Sequence, residues 1–227
     1  MDIFLTKGIE YLLVIDFLLI LILFWMALTT PTPTRAAYRF ATERLIPAIA
    51  EWFHLPEERY YHQGHSWAMP QGHGIVKIGV DDFAQKLVGR PTTVNLPPIG
   101  SRIEQGEVGW SLGFDAKTID MISPVNGEVV AINKDVLRDP SVITQDPYEK
   151  GWLVMVKADK IKADLKNLLT GKLARAWMGE TVDALRGRVA GDLGVVYQEE
   201  GLPVSGIAKN LSPDEWDRLA KEFLLTA

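Results

Sequence analysis

The stretch YLLVIDFLLILILFWMAL, Tyr11 to Leu28, is an apolar run broken only by Asp16. Its length is close to the ~20 residues that an α-helix needs to cross a hydrocarbon layer. A cleaved signal peptide has a basic leader, a shorter apolar stretch and a small-residue cleavage site. Here Asp2 and Glu10 precede the run, and Trp25-Met26 stands near its end. The expectation is an uncleaved, single-pass transmembrane anchor over residues 1–30, with Trp25 at an interface. Lys7 precedes the run and Arg35, Arg39 and Arg44 follow it. The positive-inside rule then sets the N-terminus outside an inner or cytoplasmic membrane and the C-terminal bulk in the cytoplasm. Asp16 is costly in such a helix, roughly 2.5–3.5 kcal/mol at its centre. Two readings relieve that cost. A polar group on a neighbouring transmembrane helix makes Asp16 an interaction candidate; a place near the outer interface lets it reach water.

After the anchor, TTPTPTR cannot comfortably continue a helix and reads as a linker. AAYRFATERLIPAIAEWF follows, with Tyr38, Ala41, Leu45, Ile49 and Phe53 at near-helical spacing and Pro47 as a break. It suits an amphipathic helix lying on anionic headgroups, on a partner, or on its own domain. Residues 31–59 are therefore read as linker and juxtamembrane helix. The rest of the 227-residue chain, 47% hydrophobic and 23% charged overall, has the composition of a folded domain with a core. A net charge of −5 argues against nucleic acid as a partner, since phosphate neutralisation needs a basic stripe. The absence of cysteine excludes disulfides, thiolate metal sites and cysteine nucleophiles.

From Tyr60 to about Val156 the texture is short β-like runs between Gly and Pro: GIVKIGV, TTVNLPPIG, EVGWSLG, IDMISPVNGEVVAIN and GWLVMVK. The alternation in GEVVAIN and the turn residues around it predict hairpins in a compact sandwich or flattened barrel. DDFAQKLVG, with Asp81 or Asp82 as N-cap, predicts a short helix between strands. These motifs, in the order YYHQGHSW, GIVKIGVDDFAQKLVG, NLPPIG, IDMISPVNGEVVAIN and DPYEKGWLVMVK, resemble the H-protein of the glycine cleavage system over residues 60–158. The resemblance implies a mainly β, lipoyl/biotinyl-like barrel-sandwich hybrid with flanking helices. It also implies a hairpin that carries lipoate on a lysine.

Counted from Leu96-Pro97 or back from Ser123-Pro124, the family's lipoyl lysine falls on Ala116, and Lys117 stands one place later. The family's acidic residue three before the lysine falls on Gly113. Side chains alternate along a strand, so a shift of one turns Lys117 to another face unless the turn is bulged. Lipoate at Lys117 is accordingly the alternative, and no cofactor is the main expectation. Phe114, at the same tip, is expected as an exposed apolar contact residue. His62, His65 and His73 lie close in sequence but lack a converging fourth ligand, so no metal site is assigned; His65 matches the family's His-x-Trp signature and is expected to support the fold. No catalytic constellation is present: there is neither a Gly-x-Ser-x-Gly elbow nor a Walker loop.

Residues 159–227 read as a helical extension. Leu165, Leu168, Leu169, Leu173, Trp177, Val182 and Leu185 mark one or two amphipathic helices broken at Thr170-Gly171. Ser212, Pro213 and Glu215 give a capping-box start to a last helix through about Leu225. Its stripe, Trp216, Leu219, Phe223 and Leu224, packs on the β domain or on another subunit, which makes Trp216 and Phe223 further interaction candidates. Two functions follow. One is a membrane-anchored, non-enzymatic H-protein-like accessory subunit, a scaffold in a larger integral-membrane complex of respiratory or photosynthetic kind, touching membrane subunits and the bilayer. The other is a membrane-tethered lipoyl carrier using Lys117.

Overall fold

The computed structural model describes residues 3–29, 53–115, 117–189, 197–198, 202–203, 206 and 213–225. Two compact units divide the chain, Met1–Leu45 and Ile46–Ala227. In the first, helix α1 runs Ile3–Thr29. At 1.5 Å per residue it is ~40 Å long. Its described side chains, Tyr11 to Met26 without Leu12 and Leu23, are exposed, Asp16 among them. Counted over the described side chains alone, no helix is long and apolar enough to cross a membrane. The Pro/Thr linker and the expected juxtamembrane helix lie outside the described residues, apart from Phe53.

The second unit is built on two antiparallel sheets. Its strands are β1 (Tyr60–Tyr61), β2 (Ser66–Gly72), β3 (Ile75–Val80), β4 (Thr93–Asn95), β5 (Arg102–Ile103), β6 (Val108–Phe114), β7 (Lys117–Ile122), β8 (Gly127–Ile132) and β9 (Val154–Ala158). A six-stranded sheet has the order β1-β2-β3-β9-β8-β5, and a three-stranded sheet has the order β4-β6-β7. Val76, Ile78, Val129, Val154 and Val156 from the first and Leu112, Ile119 and Met121 from the second belong to one buried apolar cluster. Inward residues alternate with outward ones along β7 and β8, as a half-buried strand requires. β2 was not expected as a strand, because SWAMPQG contains proline and ends in glycine. Its ladder with β3 shifts register between Pro70 and Gly72, and an irregularity of this kind is where a sheet tolerates proline. A further short pair, β10 (Tyr197–Gln198) with β11 (Leu202–Pro203), lies in the long C-terminal connection.

Among the described residues, six helices flank the sheets: α2 (Asp82–Val88), α3 (Lys134–Arg138), α4 (Val142–Gln145), α5 (Ile161–Lys166), α6 (Gly171–Val189) and α7 (Pro213–Leu224). Asp81 caps α2, its side chain accepting from the Ala84 N–H, as its sequence position suggested. The helical break expected at Thr170-Gly171 is where α6 begins, with Gly171 at φ +54°. Leu173 is corrected. It is 62% exposed, because the buried stripe of α6 runs through Ala174, Met178, Val182 and Leu185, and Leu173 lies about 100° off it. α7 starts at Pro213 as expected, whereas Ser212 lies outside the described residues.

Candidate functional site: a hairpin covered by the last helix

β6 and β7 form a tight hairpin whose last cross-strand pair is Phe114 with Lys117. Only Asp115 and Ala116 lie between them in the chain. Asp115 has φ +51°, a conformation that Asp tolerates and two-residue hairpins use. Ala116 lies outside the described residues. Among the described residues, the hairpin's register shift falls between Val108 and Trp110, far from the tip. β4 braces the hairpin from one edge, where the Thr92 N–H and Oγ1 both donate to the Gly113 carbonyl, at 2.8 and 3.0 Å. The approach is close: a Cβ on Gly113 would stand 2.1 Å from Thr93 Oγ1. An acidic side chain at this position would need Thr93 to move.

Phe114 departs from expectation. It is buried, 4% exposed, with its ring edge-on to Trp216 at 5.8 Å between centroids and 67° between planes. Exposure was inferred from its place beside a turn, but α7 lies over it. Trp216, Leu219, Ala220, Phe223 and Leu224 recur at helical spacing and are all buried in this unit. Phe223 meets Phe83 of α2 at 5.6 Å. Of the two faces the stripe could have sought, it has the chain's own β domain. Lys117 Nζ lies 2.8 Å from Asp217 Oδ1 and 4.9 Å from the centroid of the Trp216 ring. Trp216 therefore contacts both members of the last hairpin pair.

His65 supports the fold, as its motif suggested. It is buried, its Nδ1 is 2.8 Å from Asp81 Oδ2, and its ring stacks on Phe83 at 4.2 Å and tilts against Trp177 at 4.7 Å. Burial and neighbouring His65 push the His62 pKa below its usual value, and His62 Nδ1 accepts from the Gly64 N–H. Among the described residues, no group of three His, Cys, Asp or Glu is placed to hold a metal ion. Sequence reasoning missed Asp217, whose only signal was an acidic residue beside the stripe of α7. It also missed Arg59, 3% exposed, whose guanidinium lies over Trp67 at 4.5 Å and Tyr148 at 5.2 Å while Nη2 donates to Glu149. Burial pushes the Tyr61 and Tyr148 phenols well up, so both are neutral donors, to the Pro56 and His54 carbonyls respectively.

Two antiparallel sheets on a shared core, a tight hairpin and flanking helices define a lipoyl-domain-like β fold. The chain belongs to the glycine cleavage H-protein family, whose model matches residues 59–181. It is 40% identical over 119 residues to a probable glycine cleavage system H protein of Natronomonas pharaonis, covering 52% of this chain and 91% of that one. It is 34% identical over 115 residues to the glycine cleavage system H protein of Thermus thermophilus, covering 51% and 88%. A crystal structure of the H protein from Mycobacterium marinum aligns with TM-score 0.49 at 28% identity, covering 56% of this chain and 99% of that one. H-proteins are non-catalytic carriers with lipoate on a lysine; like them, this chain is not an enzyme.

Proposed function

We propose that this chain is a membrane-anchored, non-catalytic H-protein-like accessory subunit of a larger integral-membrane complex, with a hairpin that bears no lipoyl arm. The observation that carries this reading is the state of Lys117. It begins β7 and is ion-paired to Asp217 with its Nζ over the Trp216 ring, and it stands one residue past Ala116, the position to which the resemblance assigns the family's lysine. A lysine used as an arm extends away from the surface, whereas this one lies folded against α7 in a half-exposed ion pair. The apolar run Tyr11–Leu28 in the sequence supports an anchor in an inner or cytoplasmic membrane. The basic residues after the run support a cytoplasmic C-terminal domain. Confinement to a membrane raises the effective concentration of a subunit at its complex, and gives a diffusing shuttle little unless its client enzymes sit there too. An energy-transducing complex is the setting this reading favours.

Family membership favours one alternative, a membrane-tethered lipoyl carrier that uses Lys117. Intact-mass and peptide-mass measurement on protein purified from its native membrane separates the two. An unmodified Lys117 in lipoate-replete cells, with membrane subunits co-purifying in mild detergent, is expected. A lipoyl increment on the Lys117 peptide would sink the accessory reading.

A further inference from the structure

Phe114 and Lys117 are directly opposed across the hairpin, so their side chains leave the ribbon on the same face. Trp216 lies on that face against both, and Asp217 closes on Lys117 Nζ. Farther along α7, Phe223 meets Phe83, and the Leu224 carbonyl sits 3.1 Å from where a Cβ on Gly64 would stand. Glu222 accepts from Arg188 Nη2 of α6 at 2.6 Å. The helix is thus held on the hairpin, on α2, on the loop at Gly64 and on α6. None of α7 falls within residues 59–181, so it is an addition to the family domain.

We infer that α7 is a cover built into this chain, closing the face beside the hairpin tip against any protein that must grip the tip. The scale of a protein contact carries the argument. One residue of strand advances ~3.4 Å, and only two residues of chain separate Phe114 from Lys117, so a turn of that length can reach only a few ångströms beyond the covered pair. A specific protein interface takes about 800 Å² from each partner and some 20–30 residues a side. An enzyme that attaches an arm, or a protein that receives one, cannot hold the tip without also occupying the ground on which Trp216 lies. The absence of an arm and the closure of the face are separate properties. The second uses the first only in taking position 116 as the family's attachment point.

A gain-of-function experiment tests the cover on the full chain. Ala116→Lys places a lysine at the attachment position, and lipoate ligase with lipoate and ATP supplies the assay. The chain carrying Ala116→Lys alone is expected to be lipoylated at least about tenfold more slowly than the same chain with α7 loosened. Loosening is done by Trp216→Ala, which removes the contact with both members of the hairpin pair, and separately by Trp216→Ala combined with Asp217→Lys, a half-exposed change that sets a second cation against Lys117. Hydrogen exchange of residues 213–224 confirms release, while unchanged exchange in β3 and β9 shows that the domain remains folded. Equal rates with α7 docked and released overturn the cover, as does a released chain that stays unmodified. Modification that appears on Lys117 rather than at position 116 after release supports the cover and overturns the assigned register. The proposal that the native protein bears no arm is decided independently by the mass of the native chain.

Discussion

Position 79 in β3 accepts only hydrogen. A Cβ there would stand 2.6 Å from Trp67 Cζ2 and 2.9 Å from its Nε1. The indole cannot retreat: it is fully buried, and its N–H donates to the Val80 carbonyl at 2.9 Å and the Pro147 carbonyl at 3.2 Å. Gly79→Ala is expected to cost about 3 kcal/mol, the upper part of the range for overpacking, measured as a fall in the urea midpoint with little change in slope. His62 sets a pH dependence. Its folded-state pKa lies below the ordinary 6.5, chiefly because burial disfavours the imidazolium and secondarily because His65 is close. The unfolded chain therefore takes up this proton at a higher pH than the folded one. The contribution is fully present above 6.5 and declines as pH falls from there towards the folded value. Urea midpoints between pH 7 and 5 should fall, and the fall should be shallower in His62→Gln. An unchanged slope in that variant would assign the effect to another group.

At the scale of elements, α2 shows how much one carboxylate can hold. Asp81 accepts from the Ala84 N–H through one oxygen and meets His65 Nδ1 through the other, with both residues fully or nearly fully buried. Loss of an N-cap costs ~1 kcal/mol and an orphaned buried polar group 1–3 kcal/mol, so Asp81→Ala should cost about 3 kcal/mol. Asp81→Asn keeps an acceptor for the cap and should cost less; equal losses in chemical denaturation would show that the cap is not what matters. This helix was legible in sequence because its cap and its apolar spacing agree. β2 was not, because Pro70 and Gly72 hid a strand that meets them at a register shift. α7 was legible as an amphipathic helix from Trp216 to Leu224, yet its seat was not. Periodicity defines a sticky face without saying what covers it. For the same reason Phe114 read as exposed: burial there is supplied by a helix about a hundred residues away in sequence, and no local pattern encodes that contact. The place of Lys117 beside the hairpin turn was legible, because alternation and the turn residues mark the strand it begins. Its engagement with Asp217 was not.

At the scale of the molecule, the family domain accounts for residues 59–181, and this chain adds helices on either side of it, α1 before and α7 after. Asp16 is the residue at which the proposed anchoring can be probed. It stands at the midpoint of Ile3–Thr29, with thirteen residues of α1 on either side, hence ~20 Å of helix in each direction. Half of a hydrocarbon layer is ~15 Å, and an aspartate side chain is too short to bridge that depth. In a centred span the interfacial reading of Asp16 loses ground to a polar contact from a neighbouring helix. Asp16→Leu removes the costly group and should leave the chain in the membrane fraction after alkaline carbonate extraction. If a partner helix satisfies the carboxylate, the same substitution should also reduce co-purification of membrane subunits in mild detergent several-fold. Retention in the membrane with unchanged co-purification would show that Asp16 holds no partner. Loss of the unsubstituted chain from the membrane on carbonate treatment would remove the anchor itself, and with it the accessory-subunit reading.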